Sequence, residues 1–131
     1  MIKGEKLLYP ELSYVIIGIL FSAHNELGQY SREKQYGNVI ERILKEKNIN
    51  YLRECKIGSS GNIVDFIVEN KIILELKAKR IITKEDYNQI QRYLQETNLR
   101  LGLLVNFRDK YIKSSRIIRI DTKNKNKFIL H

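Results

Sequence analysis

Apolar side chains recur along this chain with two different periods. Leu12, Val15, Ile16, Ile19, Leu20, Ala23 and Leu27 return every three or four positions, which predicts an amphipathic helix over residues 11–27 that stops at Gly28. Tyr36, Val39, Ile40, Ile43 and Leu44 mark a second helix, capped by Ser31 and ending between Lys47 and Asn50. The pattern then changes to short, nearly continuous apolar runs. Residues 51–57 form one strand candidate, Gly58-Ser59-Ser60-Gly61 a loop, and residues 62–69 and 71–78 two further strands. Thr83-Lys84-Glu85-Asp86 has the form of a capping box with Asp in place of Glu, and opens a helix over 84–97. Tyr87, Ile90, Leu94 and Thr97 are assigned to its inner side and Asn98 to its end. Leu99–Phe107 reads as a strongly apolar strand, and Ile117, Ile118 and Ile120 as one more short one. Strands this apolar imply a sheet covered on both faces, and the strand–helix–strand unit over 71–107 should cross over right-handed. No internal repeat is present, so a single domain over 1–131 is expected, with a basic tail over 121–131.

Three charges interrupt the most apolar part of this pattern: Asp65, Glu75 and Lys77, within residues 62–80. A buried charge is costly unless it is paired, hydrogen-bonded or bound to a metal. Side chains alternate faces along a strand, so Glu75 and Lys77 share one face. A three-residue loop, Glu69-Asn70-Lys71, puts Asp65 opposite Glu75, with Cβ atoms about 4.5–5.5 Å apart, close enough to share one divalent cation. A two-residue loop, Glu69-Asn70, pairs Asp65 with Leu74 instead and turns it away. Asn70 tolerates the positive φ that either turn needs, so the loop sequence leaves both registers open.

Charge widens the picture. The 24 Lys and Arg against 15 Asp and Glu give a net charge of +9, which points to a polyanionic partner, nucleic acid first, or to a well-solvated basic surface. Cys55 is the only cysteine, which excludes an internal disulfide and fits a reducing cytoplasm. The longest apolar run, Tyr14–Phe21, falls well short of the roughly 18 residues of a membrane span. Lys3 and Lys6 before it faintly resemble a leader, a reading that Pro10 and Glu11 disrupt. With only His24 and His131 present, a His-rich metal site is excluded.

Further residues sharpen the Asp65, Glu75, Lys77 set. Ala23-His24-Asn25-Glu26-Leu27-Gly28, Glu33 with Tyr36, the Ile-Leu-Glu-Leu-Lys-Ala run at 73–78, Gln89 with Tyr93, and Leu99–Phe107 follow one another in a fixed order. On these residues, roughly positions 12–120 resemble the GxxExxY family of the PD-(D/E)XK nuclease superfamily. One position departs: Tyr30 stands where the family has its naming glycine. If that glycine takes a positive φ, Tyr30 is strained or the turn is rebuilt, which would alter how Glu33 approaches the hairpin.

The resemblance implies an α/β fold with a restriction-endonuclease-like core: a central mixed sheet of four to five strands flanked by helices, in the order α-α-β-β-β-α-β. It implies a Mg²⁺-dependent nuclease, with Mn²⁺ as a substitute, hydrolysing phosphodiester bonds in DNA rather than RNA. Asp65 and Glu75 would hold the ion, with the Leu76 carbonyl and with Glu33 directly or through water, since Mg²⁺ takes few carboxylates and keeps several waters. Lys77 would orient the attacking water and stabilise developing negative charge. Gln89 would hold a water or a phosphate oxygen, and Tyr93, one turn along the same helix face, would contact DNA or brace the site. Lys79, Arg80, Arg92 and Arg100 flank the set in sequence and are candidate phosphate contacts. Each has a structural counterpart: Asp65 as an ion-pair partner, Glu33 complementing a helix dipole, Gln89 solvated, Tyr36 and Tyr93 in the core. The alternative function is a non-catalytic nucleic-acid-binding or partner-dependent regulatory module on the same fold. A homodimer would let two sites address both strands of a duplex.

Overall fold

The structure, a computed structural model, describes residues 8–121; the basic residues after Asp121, together with Lys3 and Lys6, lie outside the described residues. Eight elements follow in the order α1 (Pro10–Leu27), α2 (Glu33–Glu46), β1 (Tyr51–Ile57), β2 (Asn62–Val68), β3 (Ile72–Lys77), α3 (Lys84–Thr97), β4 (Leu101–Asn106) and β5 (Lys113–Ile118). The strands form one mixed sheet in the order β1-β2-β3-β4-β5, antiparallel throughout except for the parallel pair β3 and β4. The expected three helices and mixed sheet are present. The fifth strand begins earlier than its isoleucines suggested, because Lys113-Ser114-Ser115-Arg116 pairs along β4 as a polar edge.

Helix ends follow local chemistry. Pro10 opens α1 with its φ already set, and Gly28, at φ 78, closes it by donating its N–H to the His24 carbonyl at 2.7 Å. The cap of α2 is Arg32 rather than Ser31: the Arg32 N–H donates to Gln35 Oε1 at 2.8 Å, while the Ser31 hydroxyl turns back to the Leu27 carbonyl. In α3 the expected box forms, with the Thr83 N–H and hydroxyl on Asp86 Oδ2 at 2.7 and 3.1 Å. Its inner face is rotated from the one expected: Asp86, Ile90, Tyr93 and Leu94 are buried. Gly102 on β4 lets Ile90 approach the sheet directly, since a Cβ there would lie 2.6 Å from Ile90 Cγ2. With Ile90 centred, Tyr87 stays 40% exposed and Thr97 caps the Tyr93 carbonyl at 2.8 Å. On α1, Val15 is similarly displaced outward, and Ser13 and His24 take buried positions.

Both sheet faces are covered. Phe66, Val68, Ile72, Leu74, Leu76, Leu101, Leu103 and Val105 pack beneath α1 and α2, while Ile67, Ile73 and Leu104 pack beneath α3. This alternation breaks once. Tyr51, Phe66 and Val68 lie on the α1–α2 side, but Cys55, Ile57 and Val64 lie on the α3 side. The switch falls at Glu54 and Asp65: pairing runs from Arg53 with Phe66 to Cys55 with Val64 and skips that pair, with Glu54 at φ 50. β1 and β2 thus change faces together without losing register.

The β2–β3 loop resolves the register question. Glu69 and Asn70 both take left-handed φ, 52 and 54, and the Lys71 N–H closes on the Val68 carbonyl at 3.0 Å. Lys71 is an added residue, so Val68 pairs with Ile72 and Phe66 with Leu74. The three-residue loop therefore holds, and Asp65 falls opposite Glu75.

Under α1 and α2, the Tyr36 and Phe107 rings stack with centroids 4.0 Å apart, 10° from parallel. The Tyr36 hydroxyl donates to the Gly28 carbonyl and accepts the Ser31 N–H at 3.3 Å, tying the α1–α2 loop down. Replacing Tyr36 with Phe keeps the stack and leaves two backbone groups unpaired. Urea denaturation should show Tyr36→Phe less stable by about 1–3 kcal/mol, with an unchanged far-UV spectrum.

Candidate active site

β2 and β3 part company at Asp65. Their ladder ends at Phe66 and Leu74, after which β2 continues with β1 and β3 continues with β4. A fork in a sheet strands backbone N–H groups, and here two carboxylates take them. The Asp65 N–H donates to Glu75 Oε1 at 2.8 Å, and the Leu76 N–H donates to Asp65 Oδ2 at 2.8 Å. The two carboxyl groups also face each other within side-chain hydrogen-bonding reach, and among the described residues no buried side-chain oxygen is left without a partner. The Lys77 carbonyl accepts the Phe107 N–H at 2.9 Å, so the adjacent Leu76 carbonyl turns the opposite way, toward the fork.

Electrostatics follow from this crowding. Burial pushes the Glu75 carboxyl up to about 8, and the neighbouring Asp65 charge pushes the same way. Burial also raises Asp65, against the pull of the Leu76 amide and the Lys77 ammonium. Glu33, at the start of α2, is raised by burial and then by the Asp65 charge, with Lys77 and the Ala78 amide opposing. A cleft of about 240 Å³ joins Glu33, Lys34, Gly37, Arg53 and Glu54 to Asp65 and Leu76.

Lys77 is largely enclosed. Its ammonium donates to Gln89 Oε1 at 3.2 Å and lies 3.8 Å from Asp86 Oδ1. It thus stands between the carboxylates of the fork and those of α3. The lysine of the set, both acids and Gln89 are brought together.

A family model for the PD-(D/E)XK nuclease superfamily matches residues 10–120. The chain belongs to the PD-(D/E)XK nuclease superfamily. No curated protein sequence matches it significantly. Among solved structures, it is similar to an alkaline exonuclease (LHK-Exo) from Laribacter hongkongensis, at 13% identity over 95% of this chain and 77% of that one, with a TM-score of 0.49. LHK-Exo in complex with dAMP gives 15% identity, 90% and 74% coverage, and a TM-score of 0.48. A protein described as SSO0001 gives 18%, 88% and 74%, and 0.49.

PD-(D/E)XK nucleases generally use divalent metals, and the fork's donor set fits one. Two adjacent carboxylates resist joint ionisation, and the Leu76 carbonyl faces them. A divalent cation offsets both causes that raise Glu75, the burial of its charge first and the Asp65 charge second. Among the described residues no group of three acidic, histidine or cysteine side chains is placed to hold an ion; Glu33 lines the cleft that reaches Asp65.

Several other expected residues are placed elsewhere. Tyr93 is 6% exposed, packed under the sheet, with its hydroxyl raised by burial and by the Glu75 and Asp65 charges. Its position fits the bracing role better than contact with DNA. Arg100 precedes β4, whose first residue pairs with Ile72, at the end of the sheet away from the fork. Strand rise puts it roughly 15 Å from the site, so nearness in sequence misled. Arg92 pairs with Glu85 at 3.0 Å on the outer face of α3. Lys79 is held by Asp86 at 2.6 Å, and Arg80 is exposed beside a separate cleft with Tyr87 and Asp109. Tyr30 is unstrained: the left-handed residue of the turn is Gly28, so the turn is built without glycine at position 30.

The sequence pattern missed three side chains. Asp86, 7% exposed, is more than a helix cap: burial raises its carboxyl, but Lys79 and Thr83 outweigh that and hold it low. It anchors both lysines that leave β3. Asn106, 3% exposed, accepts the Lys79 N–H at 3.1 Å and donates to the Lys79 carbonyl at 2.7 Å, locking the end of β3 to that of β4. Glu54 lines the cleft from β1 and adds to the Asp65 shift. A lone Asn ending an apolar run was the available signal for Asn106.

The raised Glu75 makes stability pH-dependent. Between about pH 5 and 8, the folded chain keeps a Glu75 proton that the unfolded chain has lost, so stability is greatest at the acidic end and falls as pH rises through 8. Denaturation in EDTA should lose up to about 1.4 kcal/mol per pH unit in this range, and Glu75→Gln should flatten the slope.

Proposed function

We propose that this protein is a Mg²⁺-dependent nuclease of the GxxExxY branch that hydrolyses phosphodiester bonds in DNA, with Mn²⁺ able to replace Mg²⁺. The observation that carries the reading is the pairing of Asp65 and Glu75 in the sheet fork beside the Lys77 ammonium. A purely structural ion pair would not need two mutually repelling acids. The net charge of +9 supports a polyanionic substrate, and Glu33 and Tyr36 at their motif spacing support the branch.

Asp65, Glu75 and the Leu76 carbonyl would hold the ion, which supplies Lewis-acid polarisation of the phosphoryl oxygens and a more acidic water. Lys77, oriented by Gln89 and Asp86, places a positive charge where the pentavalent phosphoryl group gains negative charge. Glu33 holds a water at the mouth of the cleft. Lys79 and Arg80 lie at the exit of β3 as candidates for positioning the DNA backbone. Arg92, paired on the far face of α3, and Arg100, at the other end of the sheet, are not retained in that role.

Isothermal titration should show Mg²⁺ or Mn²⁺ binding that Glu75→Ala abolishes. Plasmid and single-stranded DNA should be cut only with metal, and Lys77→Ala should lower the rate by about 10²–10³-fold without preventing metal binding. DNA retention without any cleavage would favour the non-catalytic binding module. Absence of both metal and DNA binding would favour the partner-dependent one.

A further inference from the structure

A second cleft of about 630 Å³ opens beside the first, lined by Tyr30, Ser31, Arg32, Glu33, Lys34, Ala78 and Arg108. It shares Glu33 and Lys34 with the cleft that reaches Asp65 and Leu76, so the two are adjacent. Within it the Tyr30 ring is 76% exposed, on a loop that is otherwise firmly held. The Tyr36 hydroxyl bridges Gly28 and Ser31, the Arg32 N–H is taken by Gln35, and Gln29 Nε2 donates to the Arg108 carbonyl at 3.2 Å. The ring is thus presented by a braced backbone, and little freedom remains to be lost on binding.

Its surroundings are cationic. The Arg108 guanidinium lies 5.5 Å from the ring centroid. Among the described residues, Arg32, Lys34 and Arg108 join no ion pair, whereas Lys79, Arg53 and Arg92 are each held by a carboxylate. Uncommitted cations around an exposed aromatic face match the chemistry of a nucleic-acid strand: phosphates on the charges, a base on the ring.

We infer that Tyr30 is a stacking platform for an unpaired base of a single-stranded DNA segment adjacent to the scissile phosphate, with Arg32, Lys34 and Arg108 holding its phosphates. This deepens the nuclease reading and rests on it. A base inside a duplex already has neighbours on both faces, so an exposed ring with one face left by Arg108 selects a frayed, terminal or single-stranded base. The sequence tolerance of stacking means the platform selects strand state rather than base identity.

The test uses a single-stranded oligonucleotide carrying 2-aminopurine, bound with Ca²⁺ replacing Mg²⁺ to hold off cleavage. The wild-type protein should quench 2-aminopurine fluorescence at one position along the strand. Tyr30→Ala should abolish the quench and weaken single-strand binding about 10-fold, with duplex affinity unchanged and the far-UV spectrum retained. Tyr30→Phe, which keeps the ring, should behave as wild type. Retention of quench and affinity in Tyr30→Ala overturns the platform, as does equal loss for single strand and duplex. If metal-dependent cleavage persists in that case, the nuclease reading stands and only the subsite falls. A wild-type protein that binds no DNA of either form overturns both.

Discussion

Two carboxylates that would repel each other in water are held side by side because the backbone around them has nowhere else to bond. Where β2 and β3 separate, the Asp65 and Leu76 amides lose their ladder partners, and Glu75 and Asp65 accept them. An unpaired buried amide costs about 1–3 kcal/mol, so the acids are fixed by the sheet and the sheet's gap is closed by the acids. The rest of the site is arranged around this mutual dependence. Leu76 turns its carbonyl inward, Lys77 follows on the Glu75 face, and α3 brings Gln89 and Asp86 to meet the lysine.

The local elements were largely legible in the pattern of apolar positions, because both helical stripes and buried strands leave strong periodic signals. The Asp65–Glu75–Lys77 set was legible for the opposite reason: charges in an apolar hairpin stand out. What the sequence left open was decided by single residues. Lys71, an added loop residue, selects the register that opposes the two acids. The face switch at Glu54 and Asp65 was invisible, since counting by alternation assumes an unbroken pleat and a left-handed Glu54 breaks it.

The misplacements share a cause. Arg100 and Arg92 were read as near the site because they are near it along the chain, but a strand has two ends and a helix several faces. The inner face of α3 depends on where Gly102 admits Ile90, a property of β4 rather than of the helix. Asp86 was legible as a cap and illegible as an anchor for Lys77 and Lys79, because those partners come from another element. Polar side chains with two tasks show only the local one in sequence.

The fork has a mechanical consequence. The hydrogen bonds that stiffen the backbone at Asp65 and Leu76 end on the same groups whose ionic state the proposed chemistry depends on. Rigidity and charge are therefore one variable at this point of the sheet. Any event that changes the electrical state of the pair also changes how tightly two central strands are laced together. The interior of the molecule thereby registers the charge held at the fork.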